Sequence, residues 1–224
     1  MKKKNQRNLW ITVGLFAAFV LWTVLITFVD VQPIGPEGSE VGFASLNGFV
    51  HELLGEHMLL YMITDWLSLV PLFVVLFFGD MGFVQLVKRK SLLKVDRSIL
   101  LLGIFYLLVA AAYVLFEVVT INYRPVLING YLEGSYPSST TMLVMCVMLT
   151  AAALFRRLIP NDVVGKIVSG VNVVFTVFMV GGRLLSGVHW FTDIVGAMLL
   201  SGGLIMAYYT ADVWRGCSTL IPLI

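Results

Sequence analysis

The sequence predicts an all-α fold: a polytopic membrane helical bundle of six transmembrane helices with both termini in the cytoplasm. Hydrophobic residues make up 59% of the 224 residues and charged residues only 12%, and the mean hydropathy is +0.93. A soluble domain of this length needs far more charge to cover its surface. Six stretches are long enough to cross a hydrocarbon core of ~30 Å. The basic residues cluster between these stretches instead of spreading along the chain.

The six predicted spans carry few charges and are separated by polar segments. They cover residues 9–29, 58–78, 98–116, 138–155, 164–182 and 194–211. The first could also be a cleaved signal peptide, because three lysines precede it, but its apolar run is longer than a usual signal core and no clean cleavage site follows. No linker, internal repeat or low-complexity tract indicates a second domain, so we expect residues 1–224 to form a single membrane-embedded domain.

The basic residues predict the orientation. Thirteen of the fifteen Lys and Arg residues lie at residues 2–7, 88–97 and 156–166 and at Arg215. Positively charged loops stay in the cytoplasm, and six spans place all of these clusters there. The loops left outside are 30–57, 121–137 and 183–193, where the Lys and Arg residues are Arg124 and Arg183. We therefore expect a multi-pass plasma-membrane protein whose chemistry faces outward.

The first outer loop and the span after it leave alternatives open. Residues 46–54 have apolar side chains at helical spacing, which predicts an interfacial helix packed on the bundle, or a lid or ramp for lipids. Asp65 lies about 10 Å inside the membrane if the second span begins at Met58. A carboxylate at this depth is a functional candidate, or it accepts a hydrogen bond from a Tyr or Trp of a neighbouring helix.

The third outer loop combines Arg183, His189 and Asp193. Asp193 follows His189 by one helical turn, so its carboxylate can accept one imidazole N–H and leave the other ring nitrogen free as a nucleophile or base. Arg183 supplies a planar fork of donors that matches phosphate oxygens. On these grounds alone the pattern could also be a structural ion pair.

The middle outer loop offers a second set of anion-binding groups. Arg124 precedes Pro125, and Pro137 precedes the hydroxyl residues at 138–141, which is a helix start signal. Free N–H groups at such a helix start attract anions. Taken in isolation this is a plain N-cap, but three segments carrying compatible groups on one face favour an anion site.

These residues resemble the type-2 phosphatidic acid phosphatase superfamily of membrane lipid phosphatases. Its pattern is Lys-x6-Arg-Pro, then Pro-Ser-Gly-His, then Ser-Arg-x5-His-x3-Asp. The corresponding residues here are Glu117-x6-Arg124-Pro125, Pro137-Ser138-Ser139-Thr140 and Gly182-Arg183-x5-His189-x3-Asp193. The six spans and the order of the motifs are also similar, so the resemblance covers nearly the whole chain.

The resemblance implies a role for each matched residue. His189 would attack phosphorus to form a phosphohistidine, and Asp193 would orient it. Arg124 and Arg183 would hold the phosphoryl oxygens and stabilise the transition state. The substrate would also contact Ser138, Ser139, Thr140 and Glu117. The resemblance implies an enzyme without a metal or other cofactor, and the sequence contains no metal-binding cluster.

The chain departs from the family pattern at three positions. Glu117 stands where the family has Lys, Gly182 replaces the Ser before Arg183, and Thr140 stands where the family has the His that protonates the leaving group. A phosphate leaving group, such as the lipid phosphate expelled from a lipid diphosphate, departs more readily without a proton than an alkoxide does. We therefore expect a preference for lipid diphosphates such as isoprenyl diphosphates, including undecaprenyl diphosphate. A protonated Glu117 could replace the missing acid.

The sequence therefore predicts a lipid phosphate or diphosphate phosphatase on the outer face of the membrane. Its partners would be a phosphorylated lipid and the bilayer, and not nucleic acid. The alternative is a catalytically inactive relative that binds phosphorylated lipids or helps to translocate them. A third possibility is transfer, in which an alcohol instead of water attacks the phosphohistidine.

Overall fold

The computed structural model describes residues 2–214, so Arg215 lies outside the described residues. The described residues form eight α-helices and two short 3₁₀ turns, at Pro36–Gly38 and Leu92–Lys94. The helices are α1 (Lys2–Phe28), α2 (Ala44–Leu54), α3 (Met58–Leu67), α4 (Leu69–Arg89), α5 (Arg97–Val118), α6 (Ser139–Leu158), α7 (Asp162–Leu185) and α8 (Phe191–Trp214).

Six helical segments of the described chain are long and apolar enough to cross a membrane. They are Gln6–Phe28, Met58–Arg89, Arg97–Val118, Ser139–Leu158, Asp162–Leu185 and Phe191–Asp212. The predicted all-α fold with six transmembrane helices is therefore confirmed. The side of the membrane that each terminus faces stays a prediction.

The second crossing is longer than the predicted span and is broken. It covers 32 residues from Met58 to Arg89, whereas the prediction ends at residue 78. The break between α3 and α4 lies at Ser68, whose hydroxyl donates to the Asp65 carbonyl oxygen at 2.5 Å. Pro71 has no N–H to donate to the carbonyl of Leu67, four residues earlier, so the helical hydrogen-bond ladder is interrupted there. As a result α3 is a separate short helix, and it packs against α7.

Helix α6 lies at the centre of the bundle and packs against α4, α5, α7 and α8. Several of its buried residues are small, namely Cys146, Thr150, Ala151 and Ala152. Small side chains let helices approach closely in a membrane, where packing is a main source of helix association. Helix α1 packs along α8.

Helix α2 is bound to the start of α8 through Asn47. The Asn47 side chain is fully buried; its Nδ2 donates to Thr192 Oγ1 at 2.9 Å, and its Oδ1 accepts from the Thr192 backbone N–H at 3.2 Å. Thr192 lies in the first turn of α8, so Asn47 caps an otherwise unpaired backbone donor. Phe49 and Leu53 of α2 are exposed, and the interfacial or lid-like role of this helix stays a prediction.

The turn between α7 and α8 is held against the connection between α2 and α3. His57 donates its backbone N–H to the carbonyl of Ser186 at 3.0 Å. Gly187 has a φ of 70°, and a Cβ there would clash with the carbonyl oxygen of Gly55. Both its backbone conformation and this close approach require glycine. The turn that leads to His189 therefore has a fixed position.

At the opposite end of the bundle an ion pair connects α6 with α8. Arg157 Nη2 lies 2.6 Å from Asp212 Oδ2, and the Asp212 side chain is buried. The loops at residues 90–96 and 159–161, which adjoin two of the basic clusters, lie between helices that end and begin on this side. The basic clusters and the α7–α8 turn therefore lie at opposite ends of the helices.

Candidate active site

Arg124 is positioned by a small β-hairpin in the loop between α5 and α6. The bridges Tyr123–Gly134 and Ile128–Tyr131 define the hairpin, and Asn129 and Gly130 at its tip have φ values of 51° and 81°. Asn-Gly is the sequence that a two-residue type I′ turn favours.

The hairpin pairs Arg124 with Glu133. The Arg124 backbone N–H donates to the Glu133 carbonyl at 3.0 Å, and Arg124 Nε lies 3.1 Å from Glu133 Oε2. The Arg124 side chain is largely buried. Its Nη1 is buried without a hydrogen-bond partner among the described residues, so this guanidinium retains donors for an anion.

Arg183 lies in the last turn of α7, because this helix continues to Leu185 and not only to the predicted residue 182. The residue is 2% exposed. Its Nη2 donates to Asp65 Oδ1 at 2.9 Å and to Thr140 Oγ1 at 2.7 Å, and its Cζ lies 5.0 Å from the centre of the Tyr61 ring. Asp65 therefore contacts a guanidinium, and the expectation of a Tyr or Trp partner is wrong.

His189 and Asp193 lie at the start of α8, in a buried environment. His189 Nδ1 is 3.6 Å from Asp193 Oδ2, which is longer than a hydrogen bond. Asp193 Oδ2 accepts the backbone N–H of Trp190 at 2.9 Å. Trp190 Nε1 in turn donates to the Tyr123 carbonyl at 2.7 Å, so this segment is attached to the loop that carries Arg124.

The start of α6 adjoins the same region. Ser138 is the N-cap of α6 and is buried; its hydroxyl donates to Thr141 Oγ1 at 3.0 Å. The Ser138 backbone N–H donates to the carbonyl of Asp193 at 3.3 Å. The two ends of the loop between α5 and α6, around Arg124 and Ser138, are thus both connected by hydrogen bonds to the distant segment around His189.

A cavity of about 710 Å³ is lined by both arginines. Its polar wall also includes Asp65, Glu117, Glu133, Ser139 and Thr140. Its apolar wall comes from α4, α5 and α6 and includes Leu72, Val75, Val109, Ala110, Leu143 and Val147. The cavity therefore has charged groups at one end and an apolar surface below them.

His189 lines a second, smaller cavity of about 20 Å³. Five residues line both cavities, which are therefore adjacent: Tyr113, Glu117, Gly134, Ser139 and Met142. Of the predicted site residues, Arg124, Arg183, Glu117, Ser139 and Thr140 line the large cavity, and His189 lines the small one. Ser138 and Asp193 are buried behind them.

The surroundings of His189 determine its charge. Burial lowers the pKa of His189 well below the ordinary value of 6.5, and the positive charges of Arg124 and Arg183 lower it further. The ring is therefore neutral at neutral pH, which is the form that can attack an electrophile.

Sequence reasoning missed the roles of two acidic residues in the cavity. Asp65 was recognised as unusual but not as the partner of Arg183, and Glu133 was not singled out. The Asn-Gly pair at 129–130 could have predicted the hairpin that brings Glu133 opposite Arg124. Within the described residues, no group of three or more His, Cys, Asp or Glu side chains is arranged to hold a metal ion.

Comparison with known proteins identifies the family. The family model for the PAP2 superfamily matches residues 105–217. The chain belongs to the PAP2 superfamily. The matched part of this PAP2 protein includes every predicted site residue. Among curated protein sequences none matches the chain.

The fold is also similar to that of a solved PAP2 structure. It resembles the crystal structure of the first transmembrane PAP2-type phosphatidylglycerolphosphate phosphatase from Bacillus subtilis, with a TM-score of 0.60 and 18% sequence identity. The similarity covers 95% of this chain and 100% of the other. Together with the six apolar helices, it shows that this PAP2 protein is an integral, multi-pass membrane protein.

Proposed function

We propose that this PAP2 protein is a lipid phosphate or diphosphate phosphatase that acts through a phosphohistidine on the outer face of the plasma membrane. The observation that carries the proposal is the convergence of Arg124 and Arg183 on one cavity beside a buried, neutral His189. Guanidinium groups with free donors bind phosphoryl oxygens well.

The walls of the large cavity support a lipid substrate. The charged end accommodates a phosphoryl group, and the side chains of Leu72, Val109 and Val147 below it form an apolar surface for a hydrocarbon chain. Burial of such a chain contributes roughly 25 cal/mol per Å² of apolar surface removed from water. A water-soluble phosphate ester gains nothing from this part of the cavity.

The proposed reaction begins at His189. A ring nitrogen forms a bond to phosphorus, and the bond between phosphorus and the leaving oxygen breaks. Asp193, close to Nδ1, stabilises the positive charge that the ring acquires, and the arginines stabilise the phosphoryl oxygens. Water then attacks the phosphohistidine, which releases inorganic phosphate and regenerates the neutral ring.

The departure of the leaving group favours a diphosphate substrate. Thr140 has no acidic proton to offer, and its hydroxyl oxygen is already bonded to Arg183. Purified protein should therefore hydrolyse a prenyl diphosphate faster than phosphatidic acid. A clear preference for phosphatidic acid would count against this part of the proposal.

Glu117 is the candidate for a substitute acid, because it lines both cavities. Its carboxyl group can protonate the leaving oxygen only if it carries a proton when the substrate is bound. Glu117→Gln should then lose turnover and still bind substrate. Unchanged turnover in this variant would exclude Glu117 as the acid.

The second candidate function is binding or translocation of a phosphorylated lipid without hydrolysis. It is favoured by the carboxylates that already contact both arginines, Glu133 at Arg124 and Asp65 at Arg183. The deciding experiment compares phosphate release by wild type and His189→Ala in the same lipid micelles. Release that depends on His189 supports the enzyme, whereas lipid binding by wild type without any release supports the binder.

A further inference from the structure

The N–H donors of the Arg183 guanidinium fall into two groups, one with hydrogen-bond partners and one without. Nη2 is fully engaged, because it donates to both Asp65 and Thr140. Nε and Nη1 are buried and have no hydrogen-bond partner among the described residues. Unpaired guanidinium donors in a buried site are costly. The Nε and Nη1 groups are therefore available to a phosphoryl oxygen, and Asp65 need not leave for that oxygen to bind.

The position of Asp65 is fixed by the packing of α3 on α7. A Cβ at Gly182 would lie 2.7 Å from the Thr64 methyl group, so the two helices approach closely just beside Arg183. The Asp65 side chain is 56% exposed and lines the large cavity. It thus places a carboxylate at the cavity wall, 2.9 Å from the cation expected to hold phosphate.

This carboxylate has opposite effects on the substrate and on the product. Its charge repels any phosphoryl group bound to Arg183, and a like charge within about 4–6 Å changes the ionisation equilibrium of a neighbouring group by roughly tenfold or more. A lipid substrate offsets the repulsion by contact with the apolar wall. Free inorganic phosphate has no hydrocarbon chain, so it experiences the repulsion without that gain.

We propose that Asp65 is a residue that limits the affinity of the site for inorganic phosphate and so promotes product release. The inference rests on the proposed hydrolysis, because only hydrolysis generates free phosphate in the cavity. Glu133 stands in the same relation to Arg124, at 3.1 Å. A carboxylate beside each phosphate-binding arginine fits a site that must both bind and release an anion.

The test is the Asp65→Asn variant, which removes the charge and keeps an oxygen that can accept from Arg183 Nη2. Thr140 and the Tyr61 ring continue to contact the guanidinium. We expect the dissociation constant for inorganic phosphate to fall about tenfold. It is measured from the phosphate dependence of the unfolding temperature of the purified protein in detergent. Asp65→Ser, which is also neutral, serves if Asp65→Asn does not fold.

The matched control is Glu52→Gln, which removes one negative charge from an exposed position on helix α2. It should bind phosphate as wild type does. If Asp65 acts only by positioning Arg183, both Asp65 variants should instead bind phosphate more weakly than wild type. Weaker binding, unchanged binding, or no detectable binding by a folded Asp65 variant would overturn the proposal.

The binding assay separates this inference from the proposed function. It needs no turnover, so it is valid even if no lipid phosphate is hydrolysed. If wild type hydrolyses lipid and Asp65→Asn binds phosphate no better, hydrolysis stands and the role of Asp65 fails. If phosphate binds more tightly to Asp65→Asn but no lipid is hydrolysed, the effect on affinity stands and the proposed reaction fails.

Discussion

His189 is neutral because of where it lies, and this has a measurable consequence. Its pKa is lowered by burial and by two guanidinium groups, whereas an exposed imidazole titrates near 6.5. We expect the ring to stay neutral as the pH falls through 6.5. Nitrogen-15 NMR of histidine-labelled protein in micelles measures this, and the resonance absent from His189→Ala identifies the ring.

The same shift predicts how stability depends on pH. The unfolded chain binds a proton at His189 below 6.5, but the folded chain does so only at lower pH. The contribution of His189 to folding stability is therefore fully present above 6.5 and decreases as the pH falls toward the lowered pKa. Titration of the His189 ring at or above 6.5 would contradict both expectations.

The sequence predicted site residues that lie in recognisable local motifs, but not the pairs that form between distant segments. Arg183, His189 and Asp193 occur within eleven positions, so their spacing was informative. Asp65 and Arg183 are 118 positions apart, and no local pattern connects them. Their pairing depends on the contact between α3 and α7, which only the folded structure provides.

The helices were predictable because hydropathy and length determine them, but their breaks and ends were not. Pro71 lies in an apolar run, so it does not change the hydropathy that defines the span. The predicted fifth span ends at residue 182, just before Arg183. Burial of Arg183 against Asp65 and Thr140 instead allows α7 to continue to Leu185.

The geometry of the turn between α7 and α8 leads us to expect that a methyl group added at Gly187 lowers the stability of the fold. Gly187→Ala places a Cβ against the Gly55 carbonyl oxygen at a φ of 70°. We expect a loss of about 2 kcal/mol or more in stability, together with reduced phosphatase activity because His189 is displaced. Thermal unfolding and initial rates in detergent measure the two effects.

Gly181→Ala is the matched control for this substitution. It lies in α7, and a Cβ there meets nothing within 4 Å. Alanine stabilises a helix interior relative to glycine by roughly 0.5–1 kcal/mol, so this variant should be at least as stable as wild type. Equal stability of the Gly187 and Gly181 variants would show that the turn does not need glycine.

The orientation of the whole molecule in the membrane is tested by labelling single cysteines. Tyr131 at the hairpin tip is 73% exposed, and Leu93 in the loop between α4 and α5 is 94% exposed. In a background with Cys146 and Cys217 replaced by Ala, Tyr131→Cys should react with an impermeant maleimide on intact cells. Leu93→Cys should react only after the cells are permeabilised, because its loop is basic. The reverse pattern would place the cavity in the cytoplasm.

Under the proposed reaction, the small space beside His189 limits which molecule can accept the phosphoryl group. About 20 Å³ is room for roughly one water molecule. While a hydrocarbon chain fills the larger cavity, an alcohol has no comparable place from which to reach the ring. In that reaction, size exclusion at this position favours water over an alcohol as the acceptor, and so favours hydrolysis over transesterification.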